Sequence, residues 1–203
     1  MNKLDRLKVK EEIQNLKVQT RRKEKISKER VNFPWVITIT IIAFLISFGF
    51  SFLSSLLLPK VSVAIGTFIV ILFILIGVLF DMIGVSVAAS EEKVFHSMNS
   101  RKVKGADIAV LFKKNADKVA SFCNDVIGDI CGVISGSAGV TIATNISSYL
   151  HVSLFWTGLI ITALIASFTI GGKALGKSFA MNKSNIILYE FAKFISNFYK
   201  KRK

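Results

Sequence analysis

The stretch VIGDICGVISGSAGVTIATNISSYL, residues 126–150, decides the fold. It holds a single charge, Asp129, in 25 residues, and is built from Gly, Ser, Ala and Thr rather than from Leu and Phe. Gly128, Gly132 and Gly136 recur every four residues, with Ser135 and Gly139 repeating the spacing on a neighbouring stripe. Two readings compete, a Gly-rich loop and a membrane helix with one bare face. Four glycines would each cost a soluble helix about 1 kcal/mol. Between membrane helices small residues are ordinary, because helix association in lipid depends on close backbone packing. We therefore read residues 126–150 as a transmembrane span.

The flanking sequence has the same character. Trp35 to Leu58 is uncharged, and at ~1.5 Å per residue it covers a hydrocarbon core of ~30 Å with some tilt. Pro34 suits the first turn of that helix, where a missing N–H costs nothing, and Pro59-Lys60 breaks it. Val61 to Phe80 is a second uncharged run, extended by helical periodicity to about Ala89. Ser153 to Ile170 is a third. The first run is too long for a signal-peptide h-region and no small-residue cleavage site follows it, so it is expected to stay in the mature protein. The expected fold class is an all-α integral membrane protein of four transmembrane helices, at about 35–58, 61–89, 126–150 and 153–170.

The 203 residues carry 27 Lys/Arg and 13 Asp/Glu, and the charges are segregated. A basic tail, 1–32, precedes the first span, and a second basic segment begins at Lys173. With the N-terminus in the cytoplasm, four spans leave only Lys60 outside, so both termini are expected in the cytoplasm of a multi-pass cell-membrane protein. Residues 91–124 then lie inside. There, Val94, Phe95 and Met98 form one apolar stripe, and Ile108, Leu111, Phe112, Ala116, Val119 and Cys123 another, separated by Gly105. Two short amphipathic interfacial helices are expected, and a juxtamembrane third within 181–203, with Ile187, Phe191, Phe194, Ile195 and Phe198 at helical spacing. The basic segments read as attraction to anionic headgroups, not as nucleic-acid binding, since no aromatic residue interrupts the N-terminal run to stack on bases.

Catalysis has little support. His96 and His151 fall on opposite sides of the membrane, Cys123 and Cys131 form no CxxC, and no phosphate loop, zinc spacing or nucleophile elbow is present. No organic cofactor is expected, and the chain is not read as an enzyme. The acids are more informative. Asp81, Glu91, Glu92 and Asp125 lie near the cytoplasmic edge, and Asp81 and Asp125 read as solvated interfacial residues. Asp129 is a turn deeper, and an acid within a span is a functional hypothesis by default. With hydroxyl oxygens from Ser86 and Ser90, it forms the expected ligand set for a hard divalent cation such as Mg2+. Asn124 and Ser135 stand close by in sequence.

Several segments in order resemble the transmembrane domain of the CorB/CorC-type, cyclin-M-related magnesium and cobalt transporter family. Val87-Ala88-Ala89-Ser90-Glu91-Glu92 stands where that family has a small-residue stretch leading to Ser-Glu-Thr. Gly128-Asp129 resembles its Gly-Asn helix opening, and Gly172-Lys173-Ala174-Leu175-Gly176-Lys177-Ser178 its Gly-Glu-x-x-Pro-Lys-Thr ending. Ile187 to Phe198 stands in the place of its juxtamembrane helix. The resemblance covers roughly residues 62–199 and implies divalent-cation transport and a homodimer, the latter also motivated by the glycine stripe. Departures are specific: Gly84 replaces a serine, Asp129 an asparagine, Lys173 a glutamate and Gly176 a proline. An Asp129–Lys173 pair would offset the added carboxylate against the lost one. The family's usual cytoplasmic nucleotide-sensing domains are not expected in a sequence ending at Lys203. Two functions follow as expectations: a divalent-cation (Mg2+/Co2+) transporter-like protein, or a non-transporting membrane scaffold or regulator of the same fold.

Overall fold

The computed structural model describes residues 33–57 and 62–198, and all their regular structure is helical. The basic tail 1–32, the turn at Pro59-Lys60 and the last five residues lie outside the described residues. The chain divides into two compact units at Thr38/Ile39. Of the first, residues 33–38 are described; they form the opening of a helix, where the Thr38 hydroxyl donates to the Pro34 carbonyl at 2.8 Å.

That helix, α1, spans Phe33–Leu57. Helix α2 covers Val63–Ala89; Ser62 caps its start by accepting the Ile65 N–H, and the extended backbone of Ser90 ends it. Short helices α3 (Glu92–Ser100), α4 (Ala106–Lys114) and α5 (Ala116–Ser121) follow. Without a break, α5 widens into a π-helical segment, Phe122–Gly128, and then continues as α6, Asp129–Leu150. Helix α7 runs Leu154–Asn182, and α8 runs Ser184–Phe198. Among the described residues, four helices are long and apolar enough to cross a membrane: α1, α2, the continuous helix over 116–150, and α7.

Helices α2, α6 and α7 pack against one another as the centre of the second unit. Small residues set the spacing. A Cβ on Gly77 would sit 3.1 Å from Cys131 Cβ, and one on Gly172 2.9 Å from Val78 Cγ2. Val70, Ala138 and Ile142 fill the middle of this trio, with Ile161 and Ile165 from α7. Ile39, Ala43 and Ile46 of α1 pack with Phe73 on the Val126, Ile130 and Ile134 face. Outward faces are strongly apolar and exposed, including Phe44, Phe48, Phe68, Leu79, Trp156 and Phe168. Beyond the end of α2, a second layer buries Val87 and Phe95 with Ile108, Ala109, Leu188 and Ala192 from α4 and α8.

Three expectations are corrected. The span expected to end near Ile170 continues to Asn182, because Gly172 and Gly176 fit against Val78 and Met82 of α2 and carry the helix past its first charge. The helix expected to begin at Val126 begins at Ala116, so the second expected interfacial helix is divided at Asn115 and its latter half belongs to the long helix. The glycine stripe also divides. Gly128 and Gly139 are packed, against Gly77 and Ile165, whereas Gly132 and Gly136 have no described atom within 4 Å of an added Cβ.

Candidate cation site

Packing sets the register between α2 and the long helix. Gly77 abuts Gly128, and nearly two turns further along α2, Gly84 abuts Asn124. The two segments are thus antiparallel, and polar groups are sorted into two levels.

The deeper level holds Gly77 and Val78 of α2, Gly128 and Asp129, and Gly172 and Lys173 of α7. Here Lys173 Nζ lies 2.9 Å from Asp129 Oδ1, a direct ion pair across 44 residues of chain. The Lys173 side chain is 25% exposed and that of Asp129 68%. The ammonium passes beside Gly128, 3.6 Å from where a Cβ would stand, so a side chain at that position would crowd its path. An ammonium beside a carboxylate supplies the positive charge that a bound metal ion would otherwise supply. Asp81, one turn along α2 from Gly77, is half-buried and within electrostatic reach of Lys173, Lys177, Asp125 and Asp129.

Ser86 and Ser90 belong to the other level. Ser86 is nine residues beyond Gly77, roughly 13 Å of helix rise, so the register separates it from Asp129. Both serines are buried. The Ser86 hydroxyl donates to the Met82 carbonyl at 2.7 Å and that of Ser90 to the Val87 carbonyl at 3.2 Å. Each proton is spent on its own helix, and only oxygen lone pairs remain. The expected ligand set Asp129, Ser90 and Ser86 is therefore not gathered at one point.

Sequence reading underrated Asn124. Its Oδ1 is buried with no hydrogen-bond partner and is pressed against Gly84, where a serine would not fit beside it. Asn124 lies in the π-helical segment, a backbone feature frequent at functional sites and without a sequence signature of its own. An unpaired buried amide oxygen is costly, and a cation or a water would satisfy it.

The remaining candidates are placed elsewhere. Asp125 is exposed. Glu92 pairs with His96 at 3.1 Å, and the Glu91 N–H donates to Asn185 Oδ1 at 2.9 Å, tying α8 to the end of α2. Cys123 and Cys131 are buried and unbonded to each other, and Ser135 is buried with its hydroxyl on the Cys131 carbonyl. Among the described residues, no three His, Cys, Asp or Glu side chains converge as a metal cage. No family model, curated protein or solved structure matches the chain.

Proposed function

We propose that this is a multi-pass membrane protein whose helical bundle acts as a non-transporting scaffold or regulator, with Lys173 as a built-in counter-ion for Asp129. The observation that carries this reading is the 2.9 Å ion pair. Removing a charge from water into a bilayer costs several kcal/mol, and mutual neutralisation offsets part of that for both groups. A transporter's anionic site must alternate between occupied and empty. An anion paired with its own cation is already neutralised without a metal ion. Both termini would face the cytoplasm of the cell membrane. The open Gly132/Gly136 stripe would serve a homodimer, and the exposed phenylalanines of α8 would meet the bilayer.

Thermal unfolding of the purified chain in detergent with and without millimolar Mg2+ tests the proposal. A site held well above its dissociation constant by free ligand stabilises by a few kcal/mol. The scaffold reading expects no Mg2+-dependent shift in the wild type.

The orphan Asn124 Oδ1 favours a second reading, Mg2+ or Co2+ transport through the level of Asn124, Ser86 and Ser90. Oxygen ligands with retained water are the chemistry Mg2+ prefers, although these three are neutral. Under this reading, liposomes containing the protein show Mg2+ or Co2+ flux that Asn124→Ala abolishes. Flux unchanged by Asn124→Ala and by Asp129→Asn removes both residues from any transport path.

A further inference from the structure

The turn between α3 and α4 and the far end of α8 enclose an open cavity of about 370 Å³. Neither reading of the intramembrane polar levels uses it. Asn99, Lys102, Lys104 and Asp107 line it from the turn, and Ser196 from α8. The floor is rigid. Gly105 has φ 84°, and a Cβ there would come within 2.7 Å of Lys193 Cα, so glycine lets the turn rest directly on the α8 backbone. Beside it Ala106, Ile108 and Ala109 are buried, the last two in the same cluster as Leu188 and Ala192.

The lining is basic. Lys102 adopts φ 56°, a left-handed conformation that crowds a side-chain Cβ and that Gly or Asn would take more readily. Among the described residues, neither Lys102 nor Lys104 has an ion-pair partner. One Asp107 oxygen accepts the Ile108 N–H at 2.9 Å. Two lysines and one aspartate leave the lining with a single net positive charge.

We propose that this cavity binds a phosphodiester anion, with the Lys102 and Lys104 ammonium groups as point charges and the Asn99 amide as a neutral donor; Ser196, whose hydroxyl donates to the Lys193 carbonyl at 2.6 Å, supplies wall rather than a donor. A monoanion matches the single net charge, and the volume admits a phosphate with its glycerol. On the topology proposed above, the cavity lies on the cytoplasmic side, beside a leaflet rich in anionic lipid. A lipid headgroup and a soluble phosphate share this chemistry, and the experiment separates them.

The full chain, delipidated in detergent, is titrated with phosphatidylglycerol, with phosphatidylcholine and with inorganic phosphate, and bound ligand is read by native mass spectrometry. The comparison is between wild type, Lys102→Gln/Lys104→Gln, and Lys93→Gln/Lys114→Gln, which removes the same charge from exposed positions outside the cavity. Saturable phosphatidylglycerol binding should weaken on the order of 30-fold in the cavity variant, at about fivefold per lysine, and stay unchanged in the control. Saturable inorganic phosphate binding lost in the cavity variant alone, without lipid preference, assigns the site to soluble phosphate. Equal losses in both variants, or no preference for phosphatidylglycerol together with no phosphate binding, overturn the proposal.

Discussion

The ammonium of Lys113 on α4 donates to the carbonyl oxygen of Ala88 at 2.8 Å, and to that of Val87 at 3.0 Å. The last carbonyls of a helix have no partner within it, and a cation at that end also meets the negative pole of the helix dipole. Ser90 N–H serves Ser86, and Lys113 serves the next two positions. One side chain therefore terminates α2 and fixes α4 against it. Lys113→Met keeps the aliphatic stem and removes the donors. It should lower unfolding stability by about 1.5–3 kcal/mol, the range for hydrogen bonds to charged groups, while Lys113→Arg retains most of it. Denaturant unfolding in detergent checks both, and equal loss in Met and Arg variants would show that packing, not hydrogen bonding, matters there.

Much of this architecture was legible in the sequence because a bilayer-length run without charge has few other uses. Legibility failed where the argument needed a second helix. Lys173 marked the end of the last span only if the chain left the helix at its first charge; the α2 surface at Val78 and Met82 lets it continue. Glycine spacing identified a bare face on α6 but not its neighbours, so Gly128 and Gly139 are packed while Gly132 and Gly136 stand open. The expected ligands Ser86 and Asp129 looked compatible in composition, and only the register of Gly77 on Gly128 separates them. Asn124 reads in the sequence only as an amide near the acids, because nothing in residues 122–128 announces a π-helical turn.

The Asp129–Lys173 pair predicts an order of variant stabilities. Lysine is the less exposed partner, 25% against 68%. Asp129→Asn strands an ammonium in the more enclosed position, so it should destabilise more than Lys173→Met, which leaves a largely exposed carboxylate. The double variant should recover most of the loss, with a coupling of about 1 kcal/mol given the exposure of the aspartate. Thermal unfolding of all four proteins measures it. Additive losses would mean that the two groups act independently.

Close approach at Gly84 is equally specific. An added Cβ would strike the Asn124 side chain, reaching its Cγ at 2.6 Å, and lie 3.0 Å from the Ala120 carbonyl. Gly84→Ala should cost about 1–3 kcal/mol by overpacking, and Asn124→Ala in the same chain should restore part of it. Gly132→Ala is the counterpart, because nothing lies within 4 Å. In an isolated protomer it should be neutral or stabilise by up to about 1 kcal/mol through helix propensity. Loss of a dimer in Gly132→Leu, read by light scattering, would place a second copy on that face.

Topology can be read with cysteines because the native pair is silent: Cys123 and Cys131 are both buried. Tyr149, at the far end of α6, is 83% exposed, and Ser100, at the end of α3, is exposed as well. On the proposed topology, four crossings would put these positions on opposite sides of the bilayer, and the segregation of Lys and Arg would put Ser100 inside. In intact cells an impermeant thiol reagent should therefore modify Tyr149→Cys and spare Ser100→Cys until the cells are lysed. The reverse pattern would invert the protein and place its basic segments outside, against the bias that orients membrane helices. Labelling of both from outside would mean that the helix over 116–150 does not cross at all, and the Asp129–Lys173 pair would then be an interfacial contact screened by water.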